Sequence, residues 1–390
     1  MTMMQPMRAM IMRIITTDTS EKGDEPKMLQ FVTEKESVWD RLKAETRPIY
    51  LYGMGDGAVR ILSAMRSYGI KAAGIFASDE FVRGHDFAGY PVRKLSELES
   101  ELDDFVIVLA FAVCSPQMID RIRALGERYQ LYVPDVPVVG GGLFTPEYCE
   151  EHEEEISAVY HALADERSRQ IYANIINFKI SGNPAYLMDQ VDSKDEIWNR
   201  VLKPTNHEIY VDLGAYNGDS IREMLENTRG KYHRIIAVEP DKKNYKKLVK
   251  FVGDTPSVQC YQCTAWCVDT ELPFAAKAGR QSSVAADGVM TPARAVDNLL
   301  AGNPLTLLKM DVEGAEREAL WGASRSIARY APKLMISLYH RNEDIFELPL
   351  LVKRINPRYR LFIRHLPYIP AWETNLYAVC EENSNDHYAE

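Results

Sequence analysis

The chain has 390 residues, 46% of them apolar and 26% charged, with a formal net charge of −10. That length allows two domains and a connector, each with its own core. The acidic balance argues against general affinity for nucleic acid or an anionic membrane surface. No apolar run approaches the ~18 residues of a bilayer span. The expectation is a cytoplasmic protein without a nucleic-acid or membrane partner, with a homodimer left open. Six cysteines occur, three of them in CYQCTAWC (Cys260, Cys263, Cys267). No fourth ligand lies near enough in sequence to complete a zinc site, so reduced thiols are the simpler reading.

Residues 1–45 read as an N-terminal tail and a lead-in helix. The opening MTMMQPMRAMIMRII lacks a small-residue cleavage site and reads as a tail or early strand rather than a targeting signal. Residues 16–30 are polar and turn-rich, and Thr33 with Glu36 has capping-box spacing for a helix through VWDRLKAE. A Rossmann-like α/β unit follows over 46–140, built on the strands IYLY, KAAGIFASD and DFVIVLAFA with helical stretches between them. Its GMGDGA turn (Gly53, Gly55, Gly57, Ala58), with Asp79 after the second strand, is a loose dinucleotide fingerprint. It leaves two readings: a phosphate or nucleotide-sugar site, or a degenerate domain used for docking or dimerisation. Residues 141–205 have helical patterning without strands and read as a connector. The acidic run EEHEEE there suits a helix start.

A second alternation occupies 206–390. Its strands are EIYVDLG, RIIAVEP, SVQCYQCTA, LTLLKMD, KLMISLYH, YRLFIRH and NLYAVCE, with helices at DSIREMLENT, KKNYKKLVKFV, EGAEREALWGA and EDIFELPLLVKRI. Only HLPYIPAWET separates the last two strands, so they should pair as an antiparallel edge hairpin.

The strongest chemical signal is EIYVDLGAYNGDSIREML. A strand ends in Asp212, and Gly214 and Gly218 flank a tight turn through Tyr216 before a helix that starts at Asp219. Gly214 permits an unusual backbone angle, and Gly218 would let a ligand approach the helix start. The next strand ends in Glu239-Pro240, where a carboxylate can accept both hydroxyls of a ribose. The alternative for Glu239 is a local capping role. The spacing lacks the G-x-G-x-x-G that favours a pyrophosphate. It fits a nucleoside without phosphates, and S-adenosyl-L-methionine is such a ligand. Its adenine would lie over the loop at Thr264, Ala265 and Trp266, with Trp266 either stacked on it or part of the core.

The blocks VDLGAYNGDS, AVEP, RQSSV, AVDNLL, LLKMDVEGAE and SLYH together resemble the FkbM family of S-adenosylmethionine-dependent methyltransferases. The family more often has leucine before the aspartate of AVDNLL, a conservative departure. The resemblance implies a class I methyltransferase-type sheet, mostly parallel with an antiparallel C-terminal edge hairpin, preceded by the smaller Rossmann-like domain and the helical connector. It implies methyl transfer to a hydroxyl of a sugar or secondary metabolite, with a peptide or amide nitrogen as the alternative. A non-catalytic module that keeps the cofactor fold is the rival of another class. In the implied strand order, the strand leading to Asp311 lies between those leading to Asp212 and His340, so Asp311 can meet both cofactor and acceptor. His340 is then the candidate general base, its alternative being a strand-end residue bonded to a carbonyl. Asp311 would orient it or help hold a divalent metal. Lys309 shares a strand face with Asp311 and either contacts the acceptor or forms an ion pair. Glu313 and Ser283 are candidates for acceptor binding, while Glu316 reads as helix-dipole stabilisation.

Overall fold

Two mostly parallel sheets dominate the described residues. The computed structural model describes residues 29–380 apart from 83, 189–190, 276–282 and 285–287. Residues 1–28 of the expected N-terminal tail and lead-in (1–45) and the Ser283 side chain lie outside the described residues.

The first sheet comprises β1 (Ile49–Tyr52), β2 (Gly74–Ala77), β3 (Asp86–Phe87), β4 (Tyr90–Lys94), β5 (Val106–Leu109) and β6 (Leu131–Tyr132), in the order β3-β4-β2-β1-β5-β6. Every residue of β1, β2 and β5 is buried, as a parallel sheet covered on both faces requires. The β3–β4 hairpin lies between β2 and the helix Leu95–Glu101. Its two turn residues, Ala88 (φ 52°) and Gly89 (φ 84°), both have positive φ, as a tight two-residue hairpin demands.

The second sheet uses β7 (Ile209–Leu213), β8 (Arg234–Val238) and β9 (Val258–Tyr261). The strands β10 (Thr264–Ala265), β11 (Thr270–Ala275), β12 (Ser283–Val284) and β13 (Val289–Arg294) form a separate small sheet. The main sheet resumes with β14 (Leu307–Met310), β15 (Lys333–Ser337), β16 (Arg360–His365) and β17 (Thr374–Val379). Its order is β16-β17-β15-β14-β7-β8-β9, and β17 runs antiparallel to both of its neighbours. This is the class I methyltransferase arrangement, with β14 central between β7 and β15.

Two local expectations are corrected. The lead-in helix Val38–Ala44 is capped by Ser37, whose Oγ accepts the Asp40 N–H at 3.1 Å. Thr33 instead donates its backbone N–H to Asn177 Oδ1 (2.8 Å), which takes it out of a capping box. The single strand expected over SVQCYQCTA breaks after Tyr261. β9 is the outermost strand of its sheet, and the chain leaves it so that Thr264–Ala265 can pair with β13. All six cysteines are unbridged.

The connector holds the two sheets together. Its helix Glu166–Ser181 packs on β16, and Arg364 of β16 donates to Asp165 Oδ2 (2.6 Å) and Ser168 Oγ (2.7 Å). At the other end of that helix, Lys179 pairs with Asp135 at 2.5 Å, both nearly buried. The carboxyl ends of the two sheets also touch. Val113 exchanges two backbone hydrogen bonds with Ile369 (2.7 and 2.8 Å), and the Val139 N–H donates to the His340 carbonyl (2.9 Å). Ligands of open α/β sheets gather at this edge.

Candidate functional site

β7 delivers the chain into the 214–218 turn. Gly214 has φ +77°, and a Cβ there would fall 1.9 Å from the Asp311 carbonyl oxygen, so glycine is required. The N–H groups of Gly214 and Ala215 both donate to the Val238 carbonyl, tying the turn to β8. Gly218 (φ +91°) is also forced, but a Cβ there would meet the Phe251 ring at 2.2 Å. Its smallness makes room for the Phe251 ring, and Gly218 is not part of the pocket lining.

Glu239 lies just past β8 and is 6% exposed. Its Oε2 accepts the Tyr216 N–H (2.9 Å) and its Oε1 accepts the Asp241 N–H (2.8 Å). Burial pushes its carboxyl up to about 7, against the pull of those two donors. Each oxygen keeps a lone pair for a further donor. Asp241 in turn caps the helix Lys242–Val252 by accepting the Lys243 and Asn244 N–H groups.

One pocket runs along the strand ends. Gly214, Tyr216, Asp219, Glu239, Pro240 and Ala265 line one end of it, and Lys309, Asp311 and Glu313 line the middle. Ser337, Asn375 and Tyr377 line the far end, following the order of the strands across the sheet. Asp212 lies beneath this surface. It is fully buried, accepts the Ser220 hydroxyl (2.6 Å) and pairs with Lys309 Nζ (3.3 Å), so it braces the wall. Lys309 also donates to the Gly214 carbonyl at 3.3 Å. Burial would lower its ammonium pKa, but Asp212 and Asp311 overcome that and hold it above the ordinary value.

Trp266 does not line the pocket. Its backbone N–H donates to the Arg294 carbonyl, and its own carbonyl packs so close to Gly322 that a Cβ there would sit 2.0 Å away. Thr264 and Ala265 supply that wall instead.

His340 departs furthest from expectation. It lies three residues beyond β15, is 1% exposed, and does not line the pocket. Its Nδ1 is 3.0 Å from Glu316 Oε1, and its Nε2 is 3.5 Å from both Asp311 Oδ1 and Glu313 Oε2. Burial alone would lower its pKa, but Glu316, Asp311 and Glu313 more than offset this and hold it at about 10. Buried among three carboxylates and absent from the pocket lining, His340 is not placed to touch an acceptor, so neither the general-base role nor direct acceptor contact is supported by its position. Asp311 does reach the pocket. Burial pushes its pKa up, but Lys309 and His340 keep the group below the usual carboxylate range, and the Tyr339 hydroxyl donates to it at 3.0 Å. Glu316 accepts the Val312 N–H (2.8 Å), bracing the turn as well as facing His340.

Phe274 and Trp198 also line the pocket and carry no sequence signal. Phe274 comes from the aperiodic insertion that forms the small sheet, and Trp198 from a π-helical turn in the connector.

The family model described as Methyltransferase FkbM domain matches residues 212–370. The chain is similar in structure to Methyltransferase FkbM from Methylobacillus flagellatus KT. That match has 21% identity and a TM-score of 0.68, and covers 95% of this chain and 99% of that one. Weaker likenesses include an rRNA methylase from Streptococcus thermophilus (12% identity, TM-score 0.32, 48% and 93% covered). Another is Aeropyrum pernix fibrillarin in complex with S-adenosyl-L-methionine (13% identity, TM-score 0.30, 45% and 68% covered). No curated protein matches the chain. Among the described residues, no helix is long and apolar enough to cross a membrane.

Proposed function

We propose, from the match of residues 212–370 to the FkbM methyltransferase domain model, that the chain transfers the methyl group of S-adenosyl-L-methionine to a hydroxyl of a sugar or secondary metabolite. The observation that carries the reading is the division of the pocket. A cofactor end built on Gly214, Tyr216 and Glu239 adjoins a middle section where Asp311 and Glu313 face the cavity. The free lone pairs of Glu239 suit the two ribose hydroxyls, and Pro240 and Ala265 offer an apolar seat for adenine.

The sulfonium supplies an already activated methyl group, so the chain's residues have to align the acceptor and manage its proton. Asp311 is the pocket carboxylate nearest the strand end that braces the cofactor turn. It would accept the acceptor's O–H hydrogen bond, fix the direction of the hydroxyl, and receive its proton, while the bound cofactor would supply the methyl group. His340 acts behind it, helping Lys309 to keep Asp311 ionised. Lys309 stays with Asp212 and the Gly214 carbonyl and serves the wall.

The test is transfer of isotopic label from S-adenosyl-L-methionine to a panel of free sugars, glycosides and hydroxylated polyketides. Label in an alkali-stable ether, lost in Asp311→Ala with cofactor binding retained, supports the reading. Label found only on nitrogen in peptide acceptors establishes N-methylation instead. Tight cofactor binding with no transfer to any acceptor favours a non-catalytic module.

A further inference from the structure

Behind the acceptor wall lies a nest of carboxylates with few cations to balance it. Asp311, Glu313 and Glu316 surround the His340 imidazole at 3.0–3.5 Å. Asp344, 3% exposed, belongs to the same cluster and accepts the Arg341 N–H at 2.8 Å. The nearest other cations are already engaged: Lys309 with Asp212, and Arg341 Nε with the Gly314 carbonyl (2.9 Å). Two further observations are unusual for a finished core. Glu316 Oε2 is buried without a hydrogen-bond partner, and so are both side-chain polar atoms of Asn342, two residues after His340 and 2% exposed. Buried polar atoms are ordinarily satisfied, so such a group of them points to a missing ligand. One potential ligand atom each from Asp311, Glu316 and His340 lies within 4.8 Å of the other two.

We propose that Asp311, Glu316 and His340 form a divalent-cation site at the floor of the acceptor pocket. Two carboxylate oxygens and one imidazole nitrogen suit a hard-to-borderline ion of the Mn2+ or Mg2+ class. Three protein ligands leave coordination positions open, and Asp311, the ligand that reaches the pocket, sets the side on which they open. An ion held there would sit beside the acceptor hydroxyl and lower its pKa. The site stands on ligand geometry alone and goes beyond the proposed reaction, so ion binding can be measured without cofactor or acceptor.

The experiment is a titration of chelator-treated, full-length protein with Mn2+, with the free ion followed by electron paramagnetic resonance. One Mn2+ per chain is expected, displaced by excess Mg2+, with electron spin-echo modulation showing a directly bonded nitrogen. Asp311→Asn and Glu316→Gln, each nearly isosteric, should weaken binding by about tenfold or more while circular dichroism stays unchanged. The absence of stoichiometric binding to the unmodified protein overturns the proposal whatever the variants do. Binding undiminished in both variants, or without nitrogen modulation, also overturns it, because the ion then sits elsewhere.

Discussion

Glu239→Gln tests the cofactor assignment through affinity and through pH. The carboxylate has each oxygen on one backbone N–H, from Tyr216 and from Asp241, with one lone pair per oxygen left over. Two charge-assisted hydrogen bonds to a ribose at ~1.5–3 kcal/mol each correspond to roughly 100- to 1000-fold in affinity, discounted for non-additivity. The amide also turns an NH2 toward one of the two backbone donors, so its loss should fall at the upper end. The pH dependence is more diagnostic. The group titrates at about 7 in the folded protein against an ordinary 4.5, with burial as the main cause. Accepting two hydroxyls requires the ionised form, so below pH 7 binding must expel a proton. Affinity for S-adenosylhomocysteine should therefore rise by up to about tenfold per pH unit below 7 and level off above it. The linkage to stability has the opposite sign. Because the folded pKa is raised, the free protein loses up to about 3 kcal/mol from this group as pH climbs from 4.5 to 7. Glu239→Gln removes that loss, so its Tm relative to the unmodified protein should improve across the same window. Calorimetry in buffers of different ionisation enthalpy would count the proton released. Affinity of the unmodified protein that is flat in pH, or Gln binding as tightly, would refute the assignment.

Two further predictions concern the framework. Gly214→Ala places a methyl group 1.9 Å from the Asp311 carbonyl at φ +77°. It should abolish S-adenosylhomocysteine binding by calorimetry and lower stability by about 2 kcal/mol or more. Arg364→Ala leaves Asp165 without its 2.6 Å partner and strips Ser168 of a donor. It should cost about 3 kcal/mol in denaturant unfolding, at the low end for a buried pair because Asp165 is 34% exposed, with cofactor affinity little changed in the surviving native protein.

The main sheet was legible because each of its strands is a short apolar run separated by amphipathic helices, and because the brief HLPYIPAWET link forces β16 against β17. The Gly214 turn and Glu239 were legible for the same reason: local backbone chemistry decides them. His340 was misread because its character depends on three carboxylates from a different segment, and the spacing of SLYH says nothing about their approach. The place of Trp266 was left open in the sequence because β10 leaves the main sheet to pair with β13, a contact with no local signature. The N-terminal fingerprint shows the same limit. A Cβ at Gly53 would meet the Phe111 ring at 2.3 Å, and one at Gly57 would meet the Ala110 carbonyl at 2.6 Å. Those two glycines make room for the protein's own residues, whatever else the turn does.

The stretch KMDVEGAE holds the last prediction, because one of its charges is bought with backbone strain. Glu313 has φ +53° and Gly314 has φ +91°, two consecutive left-handed residues. Gly314 has a packing reason, since a Cβ there would lie 3.0–3.2 Å from the Val139 side chain. Glu313 has no such excuse: a glycine would hold that conformation at ~1 kcal/mol less strain. What the glutamate adds is a carboxylate on the pocket wall, 3.5 Å from His340 Nε2. Glu313→Gly therefore sets relief of strain against loss of an ion pair and extra chain entropy, terms of ~1 kcal/mol each, and Tm should move by only a few degrees. Turnover on the acceptor identified by label transfer should fall by about tenfold or more, with S-adenosylhomocysteine affinity nearly unchanged, because the cofactor end is built on other residues. A large drop in Tm with turnover per folded molecule intact would show the opposite, that Glu313 is kept for the fold and the strain is incidental.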